Sequence, residues 1–280
     1  MELSIIIVSW NVKDKLRDNL QALFSSKLAF SYEVYVVDNN SQDGSAEMVR
    51  NEFPLVKLIT NSGNLGFAKA NNQAIKEAKG AFILLLNPDM KVYPDTLSKM
   101  LDFAKSNPQA AVSGCKLVNE KGDIVRQIRR FPKLFNQLMI VLKIPHFLPA
   151  VLNKYLQIDF DYEKNSKVDS IRGAFFLINK ESYRHINNNQ NILPLLDERY
   201  FIWFEEVDFC RQVYKLGGEV WYNSEAKCLD YVGASFSQVK RGVTQKYFQD
   251  SMLKYFLKWE KRWKYNILKA AWKVVGVFIK

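Results

Sequence analysis

Residues 82–89 read FILLLNPD, so a strand-length apolar run leads directly into an aspartate at its end. Residues 34–38, VYVVD, show the same arrangement earlier in the chain. Strands that are apolar throughout are buried on both faces, which is typical of parallel sheets. Open parallel sheets bind ligands just beyond the carboxyl ends of their strands. We therefore expect Asp38 and Asp89 to meet at one sheet edge, around a polar ligand or a metal cation.

The first part of the chain alternates between strand-like and helix-like segments. Apolar runs of strand length lie at residues 3–9, 33–37, 56–60 and 81–86. Helix-like stretches follow them at about residues 13–24, 44–53, 67–79 and 95–106, and further strand-like runs lie near 110–117 and 172–178. This alternation is typical of βαβ units. The predicted fold class is therefore α/β, with a mostly parallel, Rossmann-like sheet flanked by helices.

The composition bounds the size and the compartment of the protein. With 280 residues, 48% of them hydrophobic, the chain can bury one substantial core and a smaller lobe or tail. Its three cysteines share no metal-ligand spacing, and its first residues form a strand-like run and no charged, cleavable leader. These features favour a reducing, cytoplasmic location over secretion.

The net charge of +11 is unevenly distributed along the chain. Residues 238–280 contain eleven of the 40 Lys and Arg residues and two of the 29 acidic residues, so nine of the eleven excess positive charges belong to this tail. The remaining body is nearly neutral and has no base-reading motif. We therefore expect no nucleic-acid partner.

The tail combines positive charge with apolar residues near helical spacing. Those apolar residues are Phe248, Met252, Phe256, Trp259, Trp263, Ile267 and Ala271. Aromatic rings flanked by lysines suit the lipid headgroup boundary. The pattern predicts a basic amphipathic helical tail that contacts an anionic membrane surface through residues 247–280, peripherally at the inner face of the cell membrane. The alternative is a helix packed on the body with its basic face in water.

Residues 129–162 form an apolar, aromatic and basic stretch that contains three prolines. Prolines interrupt regular helices and strands, so the stretch lacks a clear periodic pattern. A flexible flap, an acceptor-facing loop, a membrane-contacting element and packed irregular structure are all compatible with this composition.

The two strand-end aspartates suit different parts of one ligand. Asp38 can accept paired hydrogen bonds from a nucleotide base or a ribose, or it can turn the chain and cap a helix. Asp89 follows Asn87 and Pro88, where it can bind Mg²⁺ or Mn²⁺ together with substrate phosphates, since hard cations prefer oxygen ligands. A simple turn aspartate is the alternative for Asp89.

The segment at residues 61–72, NSGNLGFAKANN, leads a strand through small residues into a helix. Exposed backbone N–H groups at a helix N-terminus suit an anionic ligand. A tight connection held by asparagine side chains explains the same residues equally well.

Residues 201–211 place three acids, Glu205, Glu206 and Asp208, in an aromatic setting. If a helix begins near Glu205, these acids complement its dipole. An apolar setting also raises the pKa of a carboxyl group, which suits a general base. The aromatic residues favour the catalytic interpretation, because a helix start does not require them.

Taken together, these segments resemble the family 2 glycosyltransferases, which are inverting enzymes with the GT-A fold. The matching motifs are SIIIVSWN at 4–11, VDNNSQDGS at 37–45, residues 61–72, LNPD at 86–89, GA at 173–174 and EEVD at 205–208. They spread over roughly residues 3–236, and the set is far more specific than any single motif. Within the family, the sequence is most similar to bacterial rhamnosyltransferase-like enzymes of surface-polysaccharide biosynthesis.

The resemblance implies a role for each matching residue. It implies contacts to the nucleotide sugar from Ser9, Asn11, Asp38, Asn40, Gly66, Asn71, Asn87 and Asp89. It also implies that Asp89 binds a divalent cation, Mg²⁺ or Mn²⁺, and that Glu206 is the catalytic base, with Glu205 and Asp208 orienting the site. Gly173, Ala174 and Trp203 would contact the acceptor.

Two departures from the family pattern refine this expectation. Where family members often carry a histidine shortly before a Gly-x-Ser motif, this chain has Asp230 before Gly233 and Ser235, so Asp230 is a second candidate metal ligand. The Gln-x-x-Arg-Trp signature of processive synthases is absent from the sequence, which favours the addition of one or a few sugars.

The resemblance also implies a domain division and a function. Residues 1–237 would form the catalytic domain, with a nucleotide-binding half at 1–118 and an acceptor-binding half at 119–237, followed by the tail at 238–280. The expected reaction moves a sugar, with rhamnose as one candidate, from a UDP- or dTDP-sugar to a lipid-linked or polysaccharide acceptor. The alternative is a catalytically silent sugar-nucleotide-binding or membrane-docking protein of the same fold.

Overall fold

The computed structural model describes residues 1–26, 28–231 and 241–278. The strands are β1 (Leu3–Ser9), β2 (Tyr32–Asp38), β3 (Lys57–Thr60), β4 (Phe82–Leu86), β5 (Met90–Val92), β6 (Ala110–Val118), β7 (Ser166–Lys167), β8 (Phe175–Asn179) and β9 (Glu219–Asp230). The helices are α1 (Lys13–Ser25), α2 (Ser45–Glu52), α3 (Phe67–Glu77), α4 (Thr96–Ser106), α5 (Leu134–Val141), α6 (Asn153–Leu156), α7 (Lys180–Ile186), α8 (Glu205–Lys215), α9 (Arg241–Trp259) and α10 (Arg262–Phe278). Short 3₁₀ turns lie at Ile144–His146 and Pro149–Leu152.

The described strands form one mixed sheet in the order β3-β2-β1-β4-β8-β6-β9-β5, with β7 paired to β9. Strands β1 to β4 are mutually parallel, and β6 is parallel to β9. Strand β8 runs antiparallel between β4 and β6, and β5 and β7 run antiparallel to β9. The predicted α/β class with a mostly parallel sheet is confirmed.

Both faces of the central strands are buried, as their uninterrupted apolar sequences predict. Successive side chains of a strand point to opposite faces. Accordingly, Ile5 and Ile7 of β1 pack in one hydrophobic cluster with helix α1, whereas Ile6 packs in the other cluster with helix α3. Leu84 and Leu85 of β4 divide in the same way. Helices therefore cover the sheet on both sides.

The longest strand, β9, is missing from the elements predicted from the sequence. Polar residues such as Asn223, Ser224 and Glu225 interrupt its apolar pattern, and its exposure alternates along much of its length. β9 pairs with three strands, β5, β6 and β7. Its stability therefore depends on partners that lie far away in the sequence.

The C-terminal segment forms two helices, where the sequence pattern predicted one tail. Helix α9 packs on the body through the fully buried Met252 and Phe256, which share a cluster with Tyr200 and Phe204. The packed-helix alternative therefore describes α9. On α10, by contrast, Trp263 is 52% exposed. No helix within the described ranges is both long enough and apolar enough to cross a bilayer.

Residues 129–162 form short helices and 3₁₀ turns joined by irregular segments, and only part of this stretch is packed on the body. Helix α5 lies against α10, and Val141 of α5 is buried with Leu268 of α10. The 3₁₀ turns that follow expose Phe147 and Leu148 to solvent.

The strand ends converge as predicted. Ser9 at the end of β1 is the register partner of Asp38 at the end of β2, and β4 lies on the other side of β1. After Asp89 the chain turns into β5, where Met90 pairs with Asp230 of β9. The carboxyl ends of β1, β2 and β4 and the end of β9 thus lie along one edge of the sheet.

Candidate active site

Ser9 and Asp38 form a buried polar pair at the sheet edge. Both side chains are at most 3% exposed. Asp38 Oδ2 accepts a hydrogen bond from the backbone N–H of Ser41 at 3.0 Å. Asp38 Oδ1 and Ser9 Oγ have no partner among the described residues. Buried polar atoms are rarely left unpaired, so these two atoms are suited to bind a ligand group.

Asn11 and Asn40 shape the loops on either side of this pair. Both adopt left-handed backbone conformations, with φ of 52° and 67°, which asparagine tolerates better than most residues. Asn11 donates its backbone N–H to Ser41 Oγ at 3.0 Å, and its Oδ1 accepts the N–H of Gln42 at 2.7 Å. Asn11 therefore ties the loop after β1 to the loop after β2.

Asn39 holds the segment that precedes α3, which supports the tight-connection interpretation. Its Nδ2 donates to Asn64 Oδ1 at 3.2 Å and to the carbonyl of Gly66 at 3.3 Å, while its Oδ1 accepts from Asn61. Asn71, predicted to contact the nucleotide sugar, donates its Nδ2 to the Phe67 carbonyl within α3 at 2.9 Å, and its contact with a ligand stays a prediction.

Gly66 lies where the 61–66 loop contacts the segment before α8, and the contact leaves no room for a side chain. Its φ is +82°, and a Cβ at this position would clash with the carbonyl oxygen of Phe201 and lie 2.7 Å from the ring carbon Cδ2. The adjacent Phe67 donates its N–H to the same carbonyl at 2.7 Å. This close contact brings the 61–66 loop against the segment that leads to Glu206.

A pocket of about 330 Å³ lies beside the strand ends, and we call it the donor pocket after the nucleotide-sugar donor that the sequence resemblance leads us to expect. Its lining residues are Val8, Trp10, Asn39, Asn64, Gly66, Phe67, Asn87, Pro88, Phe201, Ile202, Val243 and Tyr247. Asn39 and Pro88 are the chain neighbours of Asp38 and Asp89, so both predicted aspartates flank it. The ring of Tyr247, from α9, stacks on Phe201 with centroids 4.5 Å apart.

Asp89 and Asp230 lie next to each other across β5 and β9. They are 5% and 3% exposed, and the N–H of Tyr231 donates to the Asp89 carbonyl at 3.2 Å. Asp230 Oδ2 also forms an ion pair with Arg172 Nη1 at 3.0 Å. The described ranges contain no group of three His, Cys, Asp or Glu residues that could hold a metal ion. Gly233 and Ser235, which follow Asp230, are outside those ranges.

The carboxylates of Asp89 and Asp230 nonetheless suit a cation that is also coordinated by a bound ligand. Mg²⁺ and similar cations are commonly held by one or two carboxylates together with substrate phosphates. Asp89 and Asp230 supply that oxygen donor set at the sheet edge.

Glu205 and Glu206 begin α8 directly after a strained turn. Trp203 and Phe204 have φ of 63° and 70°, and left-handed backbone at bulky residues costs free energy and is concentrated at functional sites. Burial raises the pKa of Glu205, and the neighbouring Glu206 charge adds to this increase. Burial likewise raises the pKa of Glu206, while the charges of Arg129 and Arg172 oppose the increase.

Glu206 lines a second pocket of about 200 Å³, which we call the Glu206 pocket. The other lining residues are Gln127, Arg129, Tyr155, Ser170, Ile171, Arg172, Trp203, Phe204, Val207 and Phe248. Among the described residues, the side-chain oxygens Glu206 Oε2 and Glu205 Oε2 have no hydrogen-bond partner. A carboxylate with a free oxygen and a raised pKa can accept a proton from a bound hydroxyl.

Gly173 lies between one lining residue of each pocket. A Cβ built on Gly173 would lie 3.6 Å from Glu206 Cβ and 3.7 Å from Phe67 Cε1. Because Phe67 lines the donor pocket, Glu206 stands next to that pocket across a residue without a side chain. The following Ala174 accepts the Asn87 N–H at 2.9 Å, which ties this segment to the turn before Asp89.

Asp208 lies outside the lining of both pockets and faces α9. It is fully buried, and its carboxylate accepts hydrogen bonds from Trp259 Nε1 at 2.6 Å, Lys258 Nζ at 2.7 Å and Gln212 Nε2 at 2.6 Å. The structure therefore separates Asp208 from Glu206, although the sequence prediction grouped them. The contact residues that the prediction missed are Arg129, Phe201, Tyr247 and Phe248.

Comparisons with known proteins identify a matching family and similar chains. The family model described as Glycosyl transferase family 2 matches residues 4–186. An N-acetylglucosaminyl-diphospho-decaprenol L-rhamnosyltransferase of Mycobacterium tuberculosis is 23% identical over 209 residues, which cover 71% of this chain and 66% of that protein. The chain thus spans slightly less than two thirds of that relative's length.

Two solved structures share the fold. GalNAc-T7 with UDP, GalNAc and Mn²⁺ gives a TM-score of 0.61 at 13% identity, covering 90% of this chain and 48% of that one. S. aureus TarS 1-349 in complex with UDP-GlcNAc gives a TM-score of 0.55 at 18% identity, covering 97% and 71%. At these identities the likeness establishes the fold alone, and it confirms the predicted GT-A architecture.

Proposed function

The chain belongs to glycosyl transferase family 2, and from that premise we propose that it moves a sugar from a UDP- or dTDP-sugar to a hydroxyl of a lipid-linked or polysaccharide acceptor in cell-surface glycan biosynthesis. The observation that carries this proposal is the junction at Gly173, where the aliphatic part of the Glu206 side chain and Phe67 of the donor pocket approach the same residue. A transferase needs a base and a leaving-group site at such a junction.

In the proposed reaction the acceptor hydroxyl attacks the anomeric carbon of the donor sugar from the face opposite the nucleotide. The new C–O bond forms as the bond to the diphosphate oxygen breaks, and the hydroxyl proton passes to Glu206. The configuration at the anomeric carbon is thereby inverted. The raised pKa of Glu206 suits this role, because a general base works best when its pKa lies near the working pH.

The buried edge of the sheet would bind the nucleotide. The unpaired Asp38 Oδ1 can accept a hydrogen bond from a base N–H or a ribose hydroxyl, and Ser9 Oγ stands beside it. Asp89, with Asp230 as a second ligand, would hold Mg²⁺ or Mn²⁺. When bound, the cation would neutralise the negative charge that develops on the departing diphosphate.

The names of similar proteins support the donor and acceptor classes. The mycobacterial relative is named as a rhamnosyltransferase of a diphospho-decaprenol substrate, and the GalNAc-T7 and TarS structures contain UDP or UDP-GlcNAc. Rhamnose on a dTDP carrier is therefore one candidate donor, and UDP-sugars are the other class.

We also propose that the protein associates peripherally with the inner face of the cell membrane through α10. Trp263 and Ile267 are 52% and 39% exposed and stand four residues apart, hence on one helix face. Lys261, Arg262 and Lys269 are exposed on the same helix region. Each basic residue near an anionic leaflet contributes about 1 kcal/mol.

A donor screen tests the proposed function. The protein is incubated with UDP- and dTDP-sugars, Mn²⁺ and a panel of prenyl-diphosphate-linked and free sugar acceptors, and released nucleotide diphosphate and product anomers are measured. We expect one donor class to be consumed with inversion, and the Asp89→Ala variant to lose this activity. Donor binding without hydrolysis or transfer to any acceptor would instead support the catalytically silent alternative.

A further inference from the structure

The Glu206 pocket contains two arginines, Arg129 and Arg172, to which the proposed transfer chemistry assigns no role. We infer that they form an anion subsite for a phosphate or diphosphate carried by the acceptor, beside the hydroxyl that Glu206 deprotonates. This inference rests on the proposed function and deepens it, because it defines the acceptor as a sugar attached through phosphate to the rest of its molecule.

Arg129 is held in the pocket by its backbone. It pairs with Ser170 in an isolated antiparallel bridge, and Ser170 Oγ donates to the Arg129 carbonyl at 3.0 Å. Arg129 belongs to none of the ion pairs formed by the described part of the chain, in which Arg172, Arg199 and Arg211 each have a carboxylate partner. Its guanidinium group lines the cavity with Glu206 as the one carboxylate there and forms no ion pair with it among the described residues, so it can pair bidentately with a phosphate.

Arg172 lines the Glu206 pocket and also reaches Asp230 at the sheet edge. Its Nη1 donates to Asp230 Oδ2 at 3.0 Å, and its charge acts on Glu206. A guanidinium group carries five N–H donors, so an ion pair through Nη1 is compatible with a second anion. Arg172 can therefore stabilise a phosphate near Glu206 while it orients Asp230.

The two pockets differ in charge, and this difference favours different ligands in each. No lysine, arginine or acidic residue occurs among the described residues that line the donor pocket. The Glu206 pocket, by contrast, contains both arginines and one carboxylate, so positive charge exceeds negative charge in its lining. An anion that enters from the acceptor side meets positive charge there and is close to the base.

The remaining walls of the Glu206 pocket suit an amphiphilic acceptor. Ser170 and Tyr155 offer hydroxyl groups, and the buried Gln127 has an Oε1 atom with no partner among the described residues. Trp203 and Phe248 supply an apolar wall opposite these groups. At about 200 Å³ the pocket is too small for a long prenyl chain, so most of a lipid acceptor would remain outside it.

Calorimetric titration of the full chain tests the subsite. The probes are geranyl diphosphate, inorganic pyrophosphate and geraniol, in buffer with EDTA at fixed ionic strength, for wild type, Arg129→Gln and Arg126→Gln. Arg126 is an exposed neighbour outside the pocket lining and serves as the matched control. Circular dichroism and thermal unfolding check that each variant is folded, and Arg129→Lys provides a second variant that keeps the charge without the planar fork.

We expect both diphosphates to bind wild type and Arg126→Gln alike, and Arg129→Gln to bind them on the order of 10-fold more weakly, because the variant loses charge-assisted hydrogen bonds to the anion. Arg129→Lys should fall between them, and geraniol should not compete. UDP affinity should be unchanged in all variants. Equal losses in Arg126→Gln and Arg129→Gln, or a loss of UDP affinity in Arg129→Gln, would overturn the inference.

Kinetics with two acceptors separates this inference from the proposed function. If Arg129→Gln raises KM for a prenyl-diphosphate sugar but not for the same sugar without phosphate, both proposals are supported. A wild-type KM for the diphosphate acceptor in Arg129→Gln rejects the subsite and leaves the transferase intact. Arg129-dependent diphosphate binding in a protein that transfers no sugar supports the subsite and rejects the proposed function.

Discussion

Lys258 Nζ lies 2.7 Å from Oδ2 of the fully buried Asp208, and this ion pair joins the end of α9 to the first turn of α8. Lys258 also reaches Asp197 Oδ2 at 2.9 Å. Trp259 donates its indole N–H to the other Asp208 oxygen at 2.6 Å. Helix α9 is thus attached to α8, the helix that carries Glu206.

Helix α9 contacts the chain along the whole segment that leads to Glu206. Lys254 Nζ donates to the Arg199 carbonyl at 2.6 Å, and Ser251 Oγ donates to the Ile202 carbonyl at 2.8 Å. Tyr247 stacks on Phe201. These contacts hold the residues that precede the strained turn at 203–204, so α9 supports the candidate active site.

We predict that Lys258→Met destabilises the fold and lowers the transfer rate. The substitution leaves the buried Asp208 carboxylate without its cation, which typically costs roughly 3 kcal/mol or more. Denaturant unfolding and the turnover of donor sugar measure the two effects. Lys261→Met, at an exposed position nearby, is the matched control. The double variant Asp208→Asn with Lys258→Met should regain part of the stability, and a stable, fully active single variant would contradict this role.

We predict that Arg172→Gln moves the acidic limb of the pH profile of kcat/KM to higher pH. Activity rises with pH as Glu206 loses its proton, so the limb follows the pKa of Glu206. Arg172 lowers that pKa by favouring the charged carboxylate, and its removal allows burial to raise the pKa further. The profile is measured from pH 4 to 9 with Arg126→Gln as control. An acidic limb that stays in place or moves to lower pH would exclude Glu206 as the titrating base.

We predict opposite consequences for two glycine substitutions. In Gly173→Ala the new methyl group makes only ordinary contacts with Glu206 and Phe67, so stability should change by less than about 1 kcal/mol. Because the methyl group narrows the junction of the pockets, kcat/KM should fall on the order of 10-fold. Gly66→Ala should instead lower stability by more than about 1 kcal/mol, since its φ is left-handed and its Cβ would clash with Phe201.

Thermal unfolding and steady-state kinetics distinguish these outcomes. Gly63→Ala is the control, because nothing lies within 4 Å of a Cβ at that position. If Gly173→Ala keeps the wild-type kcat/KM, the acceptor and the donor sugar do not react at this junction of the two pockets.

We predict that the double variant Trp263→Ser with Ile267→Ser binds anionic vesicles several-fold more weakly than wild type. Both residues are exposed on α10, and their burial in the interface would remove apolar area from water. Cosedimentation with phosphatidylglycerol vesicles at two salt concentrations measures the effect. Leu55→Ser, at a 79% exposed position of the body, is the control. Unchanged vesicle binding in the double variant would remove α10 as the membrane contact.

The residues at the carboxyl ends of the strands are predicted well from the sequence, because the patterns that identify them lie within short stretches of chain. Each of β1, β2 and β4 contains an apolar run that is ended or directly followed by a polar residue, Ser9, Asp38 or Asn87, and parallel packing brings these ends together. Strand β9 and the role of α9 depend on partners far away in the sequence. Patterns within a short window do not contain those pairings.

The three acids at the start of α8 likewise have surroundings that the local sequence does not predict. In a helix, successive residues are rotated by about 100°, so Glu205 and Asp208 share the buried side of α8 while Glu206 faces the pocket. Both buried acids are at most 4% exposed. The sequence identified the cluster, and the packing of α9 shows which of its acids is bound by Lys258 and Trp259. Arg129 was missed because its stretch has no periodic pattern.

The most direct test of this account is single-turnover sugar transfer by Glu206→Gln at saturating donor, together with its donor affinity. Glutamine keeps the size of the side chain and cannot accept the hydroxyl proton. We predict that the transfer rate falls by about 10²–10⁴-fold while the donor binds as tightly as to wild type. Transfer at the wild-type rate would contradict the assignment of Glu206 as the base at the junction of the two pockets.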